Sequence, residues 1–343
     1  MSLAASVLEG NRLALARLLT QIENNTEAGQ SALNDLFPHT GRAHLVGVTG
    51  APGTGKSSLV NQLAGYYRNP PADAQKLKVG IVAVDPSSPF SGGAILGDRV
   101  RMRDLAGDPG VFIRSMASRG SLGGLAATTA SIVQALDAAG FDVILIETVG
   151  AGQAEVDIAR LAHTTLVIEA PGLGDDIQAI KAGILEIADI LVINKADRPG
   201  VENTERALRG NLQLAHPSRH LLQAYADVTH HSDYFSQTPQ GGEESSEQIW
   251  NPPILRTIAT EGIGVVELGF EINRHRQYLE ETGELKHREQ ARLAAELDLL
   301  IQATLVQRWR LTISGDRYKH VMGQLMERNL SPWQAVKTLL DGD

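Results

Sequence analysis

The chain has 343 residues, with 31 Lys and Arg against 40 Asp and Glu and a formal charge of −9. This acidic balance argues against a general nucleic-acid binder and against electrostatic docking on an anionic membrane. Apolar residues make up 43% and there is no cysteine, which excludes wholesale disorder, disulfides, thiol catalysis and cysteine-ligated zinc. No apolar run reaches the roughly 18 residues of a membrane span, and the N-terminus lacks a signal-peptide layout, so we expect a cytoplasmic protein.

Residues 3–23 repeat apolar side chains at helical spacing, which predicts one amphipathic helix. The repeating side chains are Leu8, Leu15, Leu19 and Ile22. The stretch 37–43 contains Pro38 and Gly41 and is typical of a joint. We therefore expect an N-terminal helical extension over residues 1–43 that packs on the domain that follows it.

From His44 onward, short strand-like runs alternate with helical segments such as 57–67, 122–138 and 176–187. The strand-like runs read LVGVT, VGIVAVD, VFIRS, DVILIET, TTLVIEA, DILVINKAD and PILRTIA. Most are apolar at successive positions, as strands that are buried on both faces must be. This alternation predicts an α/β domain over residues 44–264 with a mostly parallel sheet, whose ligands bind at the carboxyl ends of the strands.

The strand pattern stops near residue 265, and a helical pattern replaces it. Just before that point, residues 236–252 are polar and contain Gly and Pro, which predicts a flexible surface loop. One helical stripe flanked by charges is then formed by Leu297, Ile301, Leu305 and Trp309. We expect residues 265–343 to form a helical C-terminal module.

The strongest motif is at residues 50–57, which read GAPGTGKS and match G-x-x-x-x-G-K-[ST] between a predicted strand and a predicted helix. The glycines let backbone N–H groups turn inward as an anion nest, and the helix N-terminus adds positive potential. Lys56 can reach the β- and γ-phosphates, and the Ser57 hydroxyl can bind Mg²⁺. The predicted phosphate-binding residues of this P-loop are Gly50, Ala51, Pro52, Gly53, Thr54, Gly55, Lys56 and Ser57.

A second motif, Asn194-Lys-Ala-Asp197, follows the predicted strand DILVIN. Guanine offers its N1–H and an exocyclic amine, two donors that one carboxylate accepts together, whereas adenine presents an acceptor at N1 and no amine. Asp197 therefore selects guanine, because the wrong base would leave this carboxylate unpaired and desolvated. We expect Asn194 to brace the loop and the base, and the stem of Lys195 to cover the ring.

Carboxylates at strand ends beside the P-loop are candidates for a magnesium site. Asp85 ends the run VGIVAVD and Glu147 ends DVILIE, so both face the mouth of the predicted sheet. Mg²⁺ takes few direct protein ligands and keeps several waters, so one or both can act through water. Gly150 can offer a backbone N–H to the γ-phosphate, and Asp98 is a further candidate for holding the metal or positioning water.

Taken together, these residues resemble the P-loop GTPases that chaperone adenosylcobalamin-dependent acyl-CoA mutases, the MeaB/ArgK type, which older usage describes as arginine/ornithine transport ATPases or kinases. The segments that carry the resemblance are GAPGTGKSS, VDPSSPFSGGAILGDRVRM, FIRSMASRGSLGGLA, ETVGAGQAEVDIA, EAPGLGDDIQAIKAGILEIADILVINKAD and LSPWQAVKTLL. The likeness runs over almost the whole chain, and DPSSPFSGGAILGDRVRM is far more specific than the P-loop itself. It implies a P-loop NTPase fold that is flanked by the N-terminal extension and a C-terminal dimerisation module.

The resemblance also implies roles for individual residues. The implied catalytic set is Lys56, Asp98, Arg101, Glu147 and Lys181. The implied magnesium set is Ser57, Asp85, Asp98 and Glu147, and Ser58 would join the phosphate loop. An extra switch that senses the nucleotide and contacts the mutase would comprise Asp175, Asp176, Gln178 and Lys181. Guanine would be held by Asn194, Lys195 and Asp197 with help from the turn Ile258-Ala259-Thr260.

The same resemblance implies Mg²⁺ as cofactor, GTP and GDP as ligands, and an adenosylcobalamin-dependent acyl-CoA mutase as partner, with its adenosyltransferase as a further partner. The chain has no D-x-H-x-x-G motif, so adenosylcobalamin would be held by the mutase and not by this chain. The C-terminal helices would form a homodimer. The mutases for methylmalonyl-, isobutyryl-, ethylmalonyl- and hydroxyisobutyryl-CoA all stay open as partners.

The sequence departs from the family pattern at three places, none of which touches the phosphate site. Ile258 stands where the guanine-bracing turn usually reads Ser-Ala, although the backbone N–H of Ala259 can still serve. The run FIRSMAS lacks the usual proline just after Arg114, and the linker 236–252 is idiosyncratic.

No arginine finger is poised within the chain, since Arg101, Arg114 or Arg119 would reach the phosphates only after rearrangement. We therefore expect slow intrinsic GTP hydrolysis by in-line attack of water.

Two alternatives belong to other functional classes. A kinase or ATPase linked to arginine/ornithine transport needs an acceptor site and a base, and the sequence shows a motif for neither. A metallochaperone GTPase that loads nickel needs a Cys/His cluster, which the lack of cysteine disfavours.

Overall fold

In the computed structural model, the described residues are 2–71, 75–86, 105, 107–118, 124–148, 154–172, 185–215 and 250–341. Their strands form one parallel sheet in the order β3-β2-β4-β1-β5-β6-β7. The strands are β1 (His44–Gly50), β2 (Val79–Pro86), β3 (Val111–Ser118), β4 (Val143–Thr148), β5 (Thr164–Glu169), β6 (Ile190–Asn194) and β7 (Ile254–Thr257). Each coincides with one of the predicted runs, so the α/β prediction with a parallel sheet is confirmed. The central strand β1 ends in the P-loop.

The described helices cover both faces of the sheet and continue beyond it. They are α1 (Leu3–Leu8), α2 (Arg12–Glu23), α3 (Glu27–Leu36), α4 (Lys56–Arg68), α5 (Gly124–Ala138), α6 (Ala154–Leu161), α7 (Val201–Ala215), α8 (Val265–Thr282), α9 (Glu284–Thr312), α10 (Gly315–Met326) and α11 (Pro332–Asp341). One apolar core joins the sheet to α1–α3, α5 and α6, and a second joins it to α4 and α8. Because both faces are covered, nearly every side chain of the strands β1, β4, β5 and β6 is buried, as the continuous apolar runs predicted.

The N-terminal extension differs from its prediction in one respect. The single helix predicted over residues 3–23 is wrong, because the chain turns at Gly10 with φ +83° and restarts as α2. Asn11 caps α2 by accepting hydrogen bonds from the N–H groups of Leu13 and Ala14, both at 3.0 Å. A side chain that caps a helix favours a break over a continuous helix.

Two arginines hold the N-terminal helices to the edge of the sheet. The Arg12 guanidinium donates to the carbonyls of Pro109 and Val111 at 2.7 and 2.8 Å. Arg114 of the edge strand β3 donates from Nε to Glu23 Oε1 at 2.7 Å. The extension therefore packs as part of the same compact unit as the sheet, which runs to Leu293.

A second compact unit begins at Ala294. In its described part, the buried apolar side chains are those of Val321 and Ala335. Large apolar side chains are exposed along its helices, among them Leu305, Leu311 and Trp333. None of the helices in the described ranges combines the length and the apolar character that crossing a membrane requires.

The amino ends of the strands are closed by a buried network of polar side chains. Asp189, directly before β6, accepts two hydrogen bonds from the Arg288 guanidinium of α9, both at 2.9 Å. Asp189 Oδ1 also lies 3.3 Å from His275 Nε2 of α8. On its other side, His275 Nδ1 is 2.9 Å from Thr164 Oγ1, which is 2.8 Å from His44 Nε2. This chain of contacts ties β1, β5 and β6 to α8 and α9.

Burial and charge shift the pKa values of this network. Desolvation, reinforced by neighbouring cationic groups, holds the pKa of His44 well below its ordinary value. Burial acts to raise the pKa of Asp189, but Arg288 and His275 outweigh it, so the pKa lies far below that of an ordinary carboxyl. Burial also acts to raise the pKa of Glu289, but its hydrogen bonds to His163 and Arg292 lower it to about 2. The carboxylates of this edge thus stay ionised, and His44 stays neutral, near pH 7.

Candidate nucleotide-binding site

The P-loop of residues 50–57 lies at the carboxyl end of β1, between the central strand and α4. Gly50 has φ +137°, and a Cβ atom there would lie 2.1 Å from the Ile168 carbonyl oxygen, so only glycine fits. Gly55 has φ +93°, and a Cβ atom there would lie 2.4 Å from Asn194 Nδ2. These glycines let the loop pass close to β5 and β6 before Lys56 starts α4. The N-terminal turn of α4 thus points its N–H groups to the mouth of the sheet, as anion binding requires.

Inside the loop, Lys56 and Ser57 direct their polar atoms to the same edge. The Lys56 ammonium is buried and donates to the carbonyls of Gly50 and Ala51 at 2.8 and 3.0 Å. The Ser57 hydroxyl donates to Glu147 Oε1 at 2.6 Å. Ser57 and Glu147 thus bring two oxygen donors together, which fits Mg²⁺ because this ion prefers oxygen ligands and keeps several waters. In the described residues, no group of three or more His, Asp or Glu side chains is placed to hold a metal.

The Asn194 motif lies against the P-loop. Asn194 Nδ2 donates to the Thr54 carbonyl at 2.8 Å, and its Oδ1 accepts from the Ala259 N–H at 3.0 Å. Lys195, in the left-handed region with φ +56°, donates from Nζ to the Gly53 carbonyl at 2.6 Å. One asparagine therefore joins the phosphate loop, the end of β6 and the turn after β7.

The remaining base-site candidates lie around this junction. The Asp197 side chain is exposed in the turn after β6, where a ligand can reach it. Ile258 donates its N–H to the Ile263 carbonyl at 3.0 Å, which closes the turn that contains Ala259 and Thr260. The Ala259 N–H, which was predicted to serve the base, donates to Asn194 instead.

Sequence reasoning missed three buried threonines at this edge. Thr257 donates its hydroxyl to Asn194 Oδ1 at 3.1 Å, and Thr148 donates to Thr49 Oγ1 at 3.1 Å. All three hydroxyls are fully buried. Each threonine stands within one residue of a predicted site residue or turn at a strand end, and that position is the signal that could have pointed to them.

Several predicted site residues fall outside what the structure describes. Asp85 is described only by its backbone, which pairs with Ala117 near the end of β2. Outside the described residues lie Asp98, Arg101, Gly150, Asp175, Asp176, Gln178 and Lys181. Of the three arginines named as fingers, Arg114 is described, and its ion pair with Glu23 directs it to the N-terminal helices.

The chain is similar in sequence to proteins that are named as GTPases. The family model described as methylmalonyl-CoA mutase-associated GTPase MeaB matches residues 15–313. A GTPase of Pyrococcus horikoshii is 41% identical over 97% of this chain and 95% of its own length. The match therefore covers the sheet, the P-loop and most of the C-terminal helices.

Two further relatives carry more specific names. GTPase ArgK of Escherichia coli is 31% identical over 96% of this chain and 92% of its own length. The mouse mitochondrial methylmalonic aciduria type A homolog is 30% identical over 95% of this chain and 71% of its own length. A crystal structure described as an LAO/AO transport system kinase aligns with a TM-score of 0.63 at 24% identity, covering 99% of this chain and 95% of that one, and so supports the fold.

Proposed function

Because the chain belongs to the MeaB family of methylmalonyl-CoA mutase-associated GTPases, it is a P-loop GTPase, and we propose that it acts as a switch that gates cofactor loading of an adenosylcobalamin-dependent acyl-CoA mutase and protects that enzyme. The mutase, and not this chain, would hold adenosylcobalamin. The partner class follows from the family name and from the name of the mouse relative. The mutase and its adenosyltransferase would bind this chain in the cytoplasm.

The observation that carries the nucleotide part of the proposal is the junction at Asn194. Its side chain bonds both the P-loop at Thr54 and the turn at Ala259. This junction would hold the phosphate loop and the base loop at a fixed separation for one ligand that spans both, a purine nucleoside triphosphate. The exposed Asp197 carboxylate would then accept both donors of guanine, and adenine would leave it unpaired.

For hydrolysis, the chain's residues would position the phosphates and stabilise their charge. The P-loop amides and the Lys56 ammonium would hold the β- and γ-phosphates. Ser57 and Glu147 would hold Mg²⁺, which neutralises charge on the phosphate oxygens when it is bound. Arg114 is paired with Glu23 and so is directed to the N-terminal helices, which supports slow turnover until a partner completes the site.

The test is GTP turnover measured with and without purified methylmalonyl-CoA mutase. We expect slow release of phosphate from GTP by the chain alone and faster release when the mutase is present. A pull-down of the mutase should also differ between a GTP analogue and GDP. Equal turnover and equal capture in all conditions would contradict the switch.

A kinase linked to arginine/ornithine transport is the second candidate, favoured by the name of the similar crystal structure. Incubation with GTP or ATP labelled on the γ-phosphate separates the two functions. Label released as inorganic phosphate supports the GTPase switch. Label retained on arginine, ornithine or a protein acceptor supports the kinase.

We further propose that the unit from Ala294 onward forms a homodimer. Its exposed side chains Leu305, Leu311 and Trp333 would otherwise leave large apolar surface in water. Analytical ultracentrifugation should find a dimer that Leu305→Glu converts to monomer. Leu13→Glu, at an equally exposed leucine of α2, should leave the dimer intact. A monomeric wild-type chain would refute this part of the proposal.

A further inference from the structure

Strands β1 and β4 lose their backbone pairing just where the nucleotide site begins. The last pair in their ladder is Val48 with Glu147. Beyond it, β1 stays paired with β5 up to Gly50, and β4 stays paired with β2 up to Thr148. The two strands are therefore free to separate at this point unless side chains join them.

A hydrogen bond between two side chains joins them there. Thr148 Oγ1 donates to Thr49 Oγ1 at 3.1 Å, one residue past the last backbone pair. Both side chains are fully buried. A hydrogen bond in such a low-dielectric setting is stronger than in water, and breaking one partner leaves the other unsatisfied.

The two threonines flank the parts of the site that must stay in register. Thr49 directly precedes Gly50, where the P-loop starts, and Thr148 directly follows Glu147. Glu147 accepts the Ser57 hydroxyl at 2.6 Å. Because successive strand side chains point to opposite faces, the hydroxyl pair lies on the face of the sheet opposite to Glu147. A pair in this position would act through the backbone and would not contact a nucleotide bound at the P-loop.

We propose that Thr148, bonded to Thr49, is a positioning residue for GTP hydrolysis that fixes Glu147 against Ser57 and the phosphate loop. The inference rests on the proposed function, in which Ser57 and Glu147 hold Mg²⁺. Mg²⁺ demands near-ideal octahedral geometry, so a small separation of β4 from β1 weakens metal binding more than base binding. Loss of the hydroxyl bond should therefore affect turnover and metal dependence before nucleotide affinity.

The experiment compares Thr148→Val, which keeps the shape but removes the hydroxyl, with Thr148→Ser, which keeps the hydroxyl. We expect Thr148→Val to lower kcat about three- to tenfold, the worth of one buried hydrogen bond. It should raise the Mg²⁺ concentration for half-maximal GDP binding by a similar factor in calorimetry. GDP affinity measured in EDTA should stay within about twofold of wild type, and Thr148→Ser should restore most of the turnover.

Two controls separate positioning from a general loss of stability. Thr164→Val removes another fully buried hydroxyl, at the amino end of β5, and should lower the melting temperature without changing kcat. The double variant Thr49→Val with Thr148→Val removes both partners, which is nearly neutral for stability. Its melting temperature should return toward the wild-type value from the lower value of Thr148→Val, while kcat and the Mg²⁺ dependence stay impaired.

Recovery of kcat in the double variant, or wild-type kcat and Mg²⁺ dependence in Thr148→Val, would overturn the inference and leave the proposed function standing. A wild-type chain that neither binds GDP nor hydrolyses GTP would instead refute the proposed function, and the positioning role with it.

Discussion

The two ends of the same parallel sheet both hold buried polar side chains, but they use them differently. At the carboxyl end, glycines let the P-loop turn tightly, and Lys56 and Asn194 bond to the carbonyls of that loop. Asp197 stays exposed there. At the amino end, Asp189 and Arg288 bond each other and their neighbours inside the fold. Burial of charge alone therefore does not mark a functional site. A functional site is indicated by hydrogen-bond donors and acceptors that surround a position which a ligand can enter.

The variant with the largest expected effect disrupts the polar network at the amino end of the sheet and leaves the carboxyl end intact. Asp189→Asn leaves the partly buried Arg288 guanidinium without its carboxylate and should lower the free energy of unfolding by about 3–5 kcal/mol in urea denaturation. GTP turnover by the folded variant should stay within about twofold of wild type. Glu205→Gln is the matched control, since Glu205 pairs with the exposed Arg256 and should cost at most about 1 kcal/mol. Equal losses of unfolding free energy in the two variants would show that the Asp189 network contributes no more to stability than an exposed ion pair.

The converse variant breaks the carboxyl end. Lys56→Ala removes the ammonium that would hold the phosphates and should lower GTP turnover by about 100- to 1000-fold. Its unfolding free energy should change less than that of Asp189→Asn, because the hydrogen bonds from Lys56 to the carbonyls of Gly50 and Ala51 lie within one short loop, whereas Asp189 joins separate elements. Lys78→Ala, at an exposed lysine before β2, is the control and should turn over GTP normally. Normal turnover in Lys56→Ala would remove the P-loop from the mechanism.

The two ends also differ in how far the sequence predicts them. The strands and the P-loop were predictable because their signals are local: apolar strands of four to eight residues and one glycine pattern. The amino-end network was not predicted, because Asp189 and Arg288 are 99 residues apart and His44 and Thr164 are 120 apart. Only the sheet order brings such residues together. The break at Gly10 was also missed, since apolar spacing carries across a turn that a cap then stabilises.

A third prediction sharpens the chemistry of the carboxyl end. Asp197→Asn replaces an acceptor pair by an amide that also donates, so the preference for GTP over ATP should fall about 100-fold in competitive binding. Xanthosine triphosphate, whose base carries a carbonyl in place of the amine of guanine, should bind the variant better than wild type. Asp316→Asn, at an exposed carboxylate of α10, should change neither preference. Unchanged discrimination against ATP in Asp197→Asn would refute the assignment of Asp197 to the base.

The smallest expected effect is the acid sensitivity of the amino end. Asp189 fixes the direction of the network: when His275 directs Nε2–H to this carboxylate, its Nδ1 accepts from Thr164, whose hydroxyl oxygen accepts from His44 Nε2. With His44 neutral, the hydrogen bonds at Thr164 each have one donor and one acceptor, and His275 Nε2 faces Asp189 Oδ1 at 3.3 Å. Arg276 of α8 and the rings of His163 and His275 act against a charge on His44, Asp189 only partly offsets them, and desolvation is the largest cause of its lowered pKa.

Because the folded pKa of His44 lies below the unfolded value of about 6.5, the unfolded chain binds the proton first as the pH falls. The contribution of His44 to stability is therefore complete above about pH 6.5 and declines below it, by at most about 1.4 kcal/mol per pH unit. Asp189 and Glu289 lose their contributions only below about pH 4.5, where their unfolded carboxyls take up protons. His44→Asn should flatten the decline between pH 6.5 and 5 in urea denaturation, and His39→Asn, at an exposed histidine, should not. Equal slopes in wild type and His44→Asn would mean that the proton enters elsewhere and that the closed network does not set the acid limit of the fold.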